Sequence, residues 1–194
     1  SVVPRNLRST FHRHSLSFLR SHILSRKTGQ AAEGLDQKEL GMIRRYGETP
    51  QMDRRYQIRR GVYAILPYGD ALLLTHQAEP EPEFQLPGGG IDSGEHPITA
   101  LHREVMEETG WKIARPRHIG AFRRFVFMPE YDLWAEKLCL VYRADPVLRL
   151  GDPTEAGHED HLIPIEEAFE LLANPGDRAF TQMFQAQMRL RRDA

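Results

Sequence analysis

Two apolar runs, GVYAILP at 61–67 and ALLLTH at 71–76, flank Tyr68-Gly69-Asp70, and the turn residues between them predict a β-hairpin. The segment QAEPEPEF, with Pro80 and Pro82, reads as a loop, and Phe84-Gln85-Leu86 as a short strand entering Gly88-Gly89-Gly90. Pro97 suits the first turn of a helix, and Gly110 suits its C-terminal cap. Residues 117–128 and 133–143 predict a long hairpin turning at Pro129-Glu130-Tyr131-Asp132. A strand at 161–163, a helix starting near Pro164 and a last helix over about 178–191 complete the pattern. Upstream, Phe11, Leu16, Leu19 and Ile23 fall near helical spacing, which predicts a helix over 9–26, and a second helix is expected over 35–46, stopping at Gly47. The β-prone residues begin near Tyr56. The chain is therefore divided into a basic, helical N-terminal extension, 1–55, and an α/β domain, 56–194.

Charge sharpens that division. Residues 1–60 carry 13 Lys and Arg against 5 Asp and Glu, which leaves 13 against 22 for residues 61–194 and a net charge of -1 for the whole. A cationic segment ahead of an acidic domain fits docking of one on the other. Charge complementarity is screened over about 10 Å at 0.1 M salt, so Phe11, Phe18, Leu19, Ile23 and Leu24 are expected to supply apolar anchors. Packing against a partner subunit, giving a homodimer, is the expected arrangement. Nucleic acid is not expected as a partner, because the basic stretch lacks interleaved aromatics. No run of about 18 or more apolar residues predicts a membrane span. The single cysteine, Cys139, sits in the apolar run LCLVY and reads as a core residue of a cytoplasmic protein.

The helix after the glycines raises a question of chemistry. Glu104, Glu107 and Glu108 stand at i, i+3 and i+4, neighbours on one helical face. Like charges at that spacing cost a few tenths of a kcal/mol per pair in an isolated helix. A hard dication reverses the sign, since carboxylate oxygens are the ligands Mg²⁺ takes, alongside waters and substrate phosphates. The glycines permit close backbone approach, with a carbonyl available to a metal and amides to a phosphate.

The spacing is also a signature. Gly89, Glu95, Arg103-Glu104, Val105, Glu107-Glu108, Gly110 and Trp111 together resemble the Nudix box, with every fixed polar and glycine position filled. At about 6% usage per residue type, a chance match is on the order of 10⁻⁹ per starting position. One departure is Trp111, where the family usually has an aliphatic residue; that side chain packs rather than reacts. The element order from 56 to 192 is similar to the family's, and residues 1–55 lie outside the resemblance.

The resemblance implies a Nudix-type α/β/α sandwich with a mixed sheet and a hydrolase that cleaves a diphosphate linked to another moiety. It implies Glu104, Glu107 and Glu108, with the Gly88 carbonyl, as ligands of Mg²⁺, for which Mn²⁺ substitutes. Glu104 would help deprotonate water, and Arg103 would pair with Glu95 or another box carboxylate. Gly89 and Gly90 would offer amides to phosphate. Within the Gly-rich loop GDPTEAGHED, Glu155, Glu159 and Asp160 are candidates for an additional catalytic carboxylate, with Glu159 preferred. His158 and His161 have suggestive spacing, but a carboxylate-rich Mg²⁺ site needs no imidazole. Arg123 and Arg124 point to opposite faces of a strand, so that one can reach phosphate. Trp134 and Glu136 share a face and could read a nucleobase. The expected substrate is a nucleoside triphosphate or related nucleotide. The alternatives are ADP-ribose or an ADP-sugar, an RNA end approached through the basic arm, and nucleotide binding without catalysis.

Overall fold

The computed structural model describes residues 43–79 and 81–192. The helix expected over 9–26, its proposed docking contacts and most of the helix expected over 35–46 lie outside them. Where that second helix was to end, Arg44–Arg45 instead forms a strand, β1, which pairs in parallel with Phe122 and Arg123. A two-residue strand has no period of its own. It exists because an edge of the sheet is there to receive it.

The remaining elements follow in chain order: β2 (Tyr56–Tyr68), β3 (Ala71–Gln77), β4 (Glu83–Gln85), α1 (Pro97–Thr109), β5 (Trp111–Met128), β6 (Leu133–Arg149), β7 (His158–Pro164), α2 (Ile165–Leu171) and α3 (Pro175–Arg192). The sheet runs β1-β5-β6-β2-β3-β4, with β7 pairing to β3. β2 lies parallel to β6 and antiparallel to β3, so the sheet is mixed. The predicted hairpin at 68–70 is present, with Gly69 at φ 63 in its turn.

Both strands of the long hairpin extend further than expected. β5 begins directly after the Gly110 cap, although Pro116 argues against a strand there. The structure accommodates it with register shifts between Lys112 and Gly120 and with Arg115 at φ 53, so the proline sits in an irregular stretch that needs no regular ladder bond.

Alternation along β2 assigns the two faces. Val62, Ala64 and Leu66 pack with Ala100, Leu101 and Val105 of α1 in a fully buried cluster. Each large apolar side chain there contributes about 1.5–3 kcal/mol by burial. On the opposite face, Tyr63 shares its side of the sheet with Cys139 and Phe122, and the Phe122 ring lies 5.9 Å from that of Phe180 on α3. Helices thus cover both faces, the layered α/β/α architecture expected. Cys139 is buried and free, in accord with its reading as core.

Asp177, in the first turn of α3, is buried on this second face. Its Oδ1 makes no hydrogen bond, and burial pushes the carboxyl from an ordinary 3.8 up to about 7, with Arg124 and the Leu86 amide pulling the other way. The folded state therefore keeps a proton that the unfolded chain loses, and stability falls as pH rises from about 4 to about 7. Asp177→Asn retains an acceptor for the Leu86 amide and removes the penalty. It is expected to stabilise the fold by about 2 kcal/mol more at pH 8 than at pH 5. Thermal melts of both proteins at the two pH values check this; an equal shift at both contradicts it.

Candidate functional site

α1 presents the carboxylates, and its ends are well defined. His96 Nδ1 accepts from the Ile98 amide at 3.2 Å, Pro97 occupies the first turn, and Gly110 caps the other end at φ 71 while donating to Met106. Trp111 then packs into the core, its ring 5.2 Å from that of Tyr68 and its indole N–H donating to Asp160.

The glycine loop is fastened to β2 rather than left free. The Gly89 carbonyl accepts from the Val62 amide at 2.9 Å, Pro87 accepts from Ala64, and Gly90 bridges Gly61. Gly88 has φ 141, and a Cβ there would fall on the Val62 carbonyl. A Cβ on Gly89 would fall on the Glu104 carboxylate. Both glycines are required by close approach: one by the strand, the other by the box helix.

Arg103 gathers the carboxylates. It donates to both Glu95 oxygens at 3.1 and 2.8 Å, to Glu104 at 2.7 Å, to Glu107 at 3.1 Å and to the Gly90 carbonyl at 3.0 Å. The fork geometry suits guanidinium and would be lost with lysine. These bonds hold Glu95 below the usual carboxylate range and raise Arg103 further above its own. Glu108 is buried and accepts from the Gly88 amide at 2.9 Å. Burial pushes Glu108 and Glu104 up, opposed at Glu108 by the Gly88 hydrogen bond and at Glu104 by Arg103. Two desolvated carboxylates beside a half-buried third, next to a loop where Gly88 and Gly89 have no room for a Cβ, fit a hard divalent cation.

The loop after β6 completes the surroundings. The Thr154 and Glu155 amides both donate to the Glu107 carbonyl, at 2.8 and 3.0 Å, satisfying a terminal carbonyl of α1. This latch sets Glu155 and His158 beside Glu108, and ligand atoms from the three lie within 4.8 Å of one another. The structure sets Glu155 rather than Glu159 beside Glu108. Glu159 follows His158 on β7, so strand alternation turns it to the other side, where it is exposed and lies 3.4 Å from His161. Glu155 is the carboxylate that reaches the box. Asp160 is held by Arg149 and Trp111.

The predicted substrate contacts divide between the faces. Arg123 pairs with Glu136 at 3.0 Å, and Trp134 lies on that same side under the Arg54 guanidinium, 3.5 Å from its ring centre. Arg124 is on the face of Tyr63 and Asp177, and its Nε makes no hydrogen bond. A cavity of about 280 Å³ is bordered by Arg124, Trp134, Tyr46 and Asn174. The residue that sequence reading missed is Lys137, cross-strand from Arg124 and close enough to Glu108 to lower its pKa. The alternation that put Glu136 on one face already placed Lys137 on the other, with Tyr63 and Cys139; the approach of Glu108 to that face was the missing information.

Among the described residues, no helix is long and apolar enough to cross a membrane. The family model for the NUDIX domain matches residues 56–184. The chain is 33% identical over 91 residues to a Streptomyces rubellomurinus protein named CMP-5'-(N-acetyl-N-hydroxy-3-aminopropyl)phosphonate hydrolase, covering 46% of this chain and 41% of that protein. It is 33% identical over 75 residues to a Bacillus subtilis protein provisionally named 8-oxo-dGTP diphosphatase, covering 39% of this chain and 50% of that one. The chain therefore spans half or less of the length of these relatives. A NUDIX hydrolase structure from Nitrosomonas europaea superposes with a TM-score of 0.56 at 19% identity, over 68% of this chain and 90% of that one, a likeness of fold.

Proposed function

Because this chain belongs to the Nudix family, we propose that it hydrolyses the diphosphate linkage of a nucleotide, with a nucleoside triphosphate or a related nucleoside diphosphate derivative as substrate. The observation that carries the reading is Glu104 and Glu107 held by Arg103 and Glu108 held by the Gly88 amide, against a loop where neither Gly88 nor Gly89 has room for a Cβ. The names of the two relatives support a phosphorylated nucleoside.

Glu104, Glu107 and Glu108 would hold a divalent cation, Mg²⁺ or Mn²⁺, with the Gly88 carbonyl beside them. When bound, such a cation lowers the pKa of a coordinated water and neutralises phosphate oxygens. The chain's own part is positional. Arg103 and the Gly88 amide fix the orientation of Glu104 and Glu108. Glu104 would help take the proton from the attacking water, and Glu155 is near enough to raise the pKa of Glu104 and of Glu108. Lys137, near enough to Glu108 to lower its pKa, and Arg124 across from it on the Tyr63 face would supply positive charge to a polyphosphate as charge develops on it. The expected homodimer, and the cytoplasmic setting, remain part of this proposal.

A panel of nucleoside triphosphates, including oxidised purines, with ADP-ribose, an ADP-sugar and a triphosphorylated RNA oligomer tests the reading. Nucleoside monophosphate and pyrophosphate are expected from the triphosphates, resolved by chromatography. Turnover confined to ADP-ribose or to RNA would replace the triphosphate reading. Nucleotide binding with no turnover would leave a non-catalytic domain.

A further inference from the structure

The imidazole of His158 has no place in an all-oxygen Mg²⁺ site, yet its side chain is only 7% exposed and faces the Glu108 carboxylate. Three features make it more than a neighbour. Its Nε2 stands 3.6 Å from Glu108 Oε1, beyond hydrogen-bonding reach. Two ligands each about 2.1 Å from one cation are separated by roughly 3–3.5 Å at octahedral to tetrahedral angles, close to that gap. The other ring nitrogen, Nδ1, lies 3.4 Å from the Ala156 carbonyl. Metal-bound histidines characteristically donate their second N–H to such a carbonyl, which leaves Nε2 as the bare nitrogen facing outward. Glu155, whose backbone N–H donates to the Glu107 carbonyl, offers a carboxylate 4.0 Å from the same ring.

We propose that His158 is a nitrogen ligand of the box site, joining Glu108 and Glu155, and that it gives this chain a preference for a borderline transition dication such as Mn²⁺ or Zn²⁺ over Mg²⁺. Carboxylates alone favour hard cations, whereas imidazole suits the first-row metals. The proposal rests on the metal-dependent reading above and deepens it. An imidazole ligand from the first residue of β7, at the end of the loop after β6, also ties metal binding to the position of that loop. The latch formed by the Thr154 and Glu155 amides on α1 is what delivers Glu155 and, three residues on, His158.

The test uses the full chain loaded with Mn²⁺ alone. Electron spin-echo envelope modulation of the bound ion should show ¹⁴N coupling from one imidazole. In His158→Gln that coupling should vanish, with Mn²⁺ affinity reduced tenfold or more and Mg²⁺ affinity changed by less than about threefold, since the remaining ligands are oxygens. Coupling absent from the wild type, or retained in the variant, overturns the assignment, as does an equal loss of affinity for both ions. The wild-type spectrum stands without any variant, and His158→Asn replaces His158→Gln should the latter not fold. Metal-dependent hydrolysis without nitrogen coupling would overturn the His158 assignment and leave the hydrolase reading intact. Nitrogen coupling in a protein that hydrolyses no nucleotide would do the reverse.

Discussion

Glu108→Gln is expected to lower kcat by roughly two to four orders of magnitude while leaving the fold intact. The loss corresponds to removing one charged ligand from a cation that contributes several kcal/mol of charge stabilisation. Gln has nearly the same shape and keeps an oxygen for the Gly88 amide. It removes a buried charge that Glu104 and Glu155 repel. The metal-free variant should therefore melt a few degrees above the wild type, since about 1 kcal/mol moves the midpoint by 2–4 °C in a chain of this size. Steady-state kinetics and a melt of the metal-free proteins check both halves. A variant that melts early and retains its turnover would make Glu108 a structural residue.

Gly88→Ala should damage the fold itself. The added methyl would fall on the Val62 carbonyl and close to Tyr63 Cα, both backbone in the centre of β2, and Gly88 sits at φ 141. Neither neighbour can yield without breaking the strand's pairing to β6. A cost of about 3 kcal/mol or more is expected, or a midpoint lower by roughly 6–12 °C. Activity should fall with it, because the Gly88 amide seats Glu108. By contrast, Gly94 has open space around it, so Gly94→Ala tests φ strain alone and should cost less. Similar melting points for Gly88→Ala and the wild type would show that the loop is free to move off β2.

Most of the box was legible in the sequence because it is local. The i, i+3, i+4 spacing of Glu104, Glu107 and Glu108, Pro97 at one end and Gly110 at the other specify α1 without reference to anything else, and the structure has that helix. The hairpin at Gly69 was legible for the same reason. What the sequence left open was set by distant partners. Choosing between Glu155 and Glu159 needed the latch onto the Glu107 carbonyl and the phase of β7, and neither leaves a trace in the loop's composition. Asp177 carries no sequence signal of its own, and only the layer covering it makes its carboxyl costly. β1 was assigned to a helix because Arg44 and Arg45 carry no strand signal apart from the edge of β5 beside them.

The most direct test of the central claim is turnover of a nucleoside triphosphate by the chain after exhaustive dialysis against EDTA. Three carboxylates crowded on one face of α1 make chemical sense as cation ligands. Hydrolysis should then be abolished in the chelated protein and restored in full by added Mg²⁺ or Mn²⁺, with Glu108→Gln restored poorly at any metal concentration. Full activity in metal-free protein would contradict it.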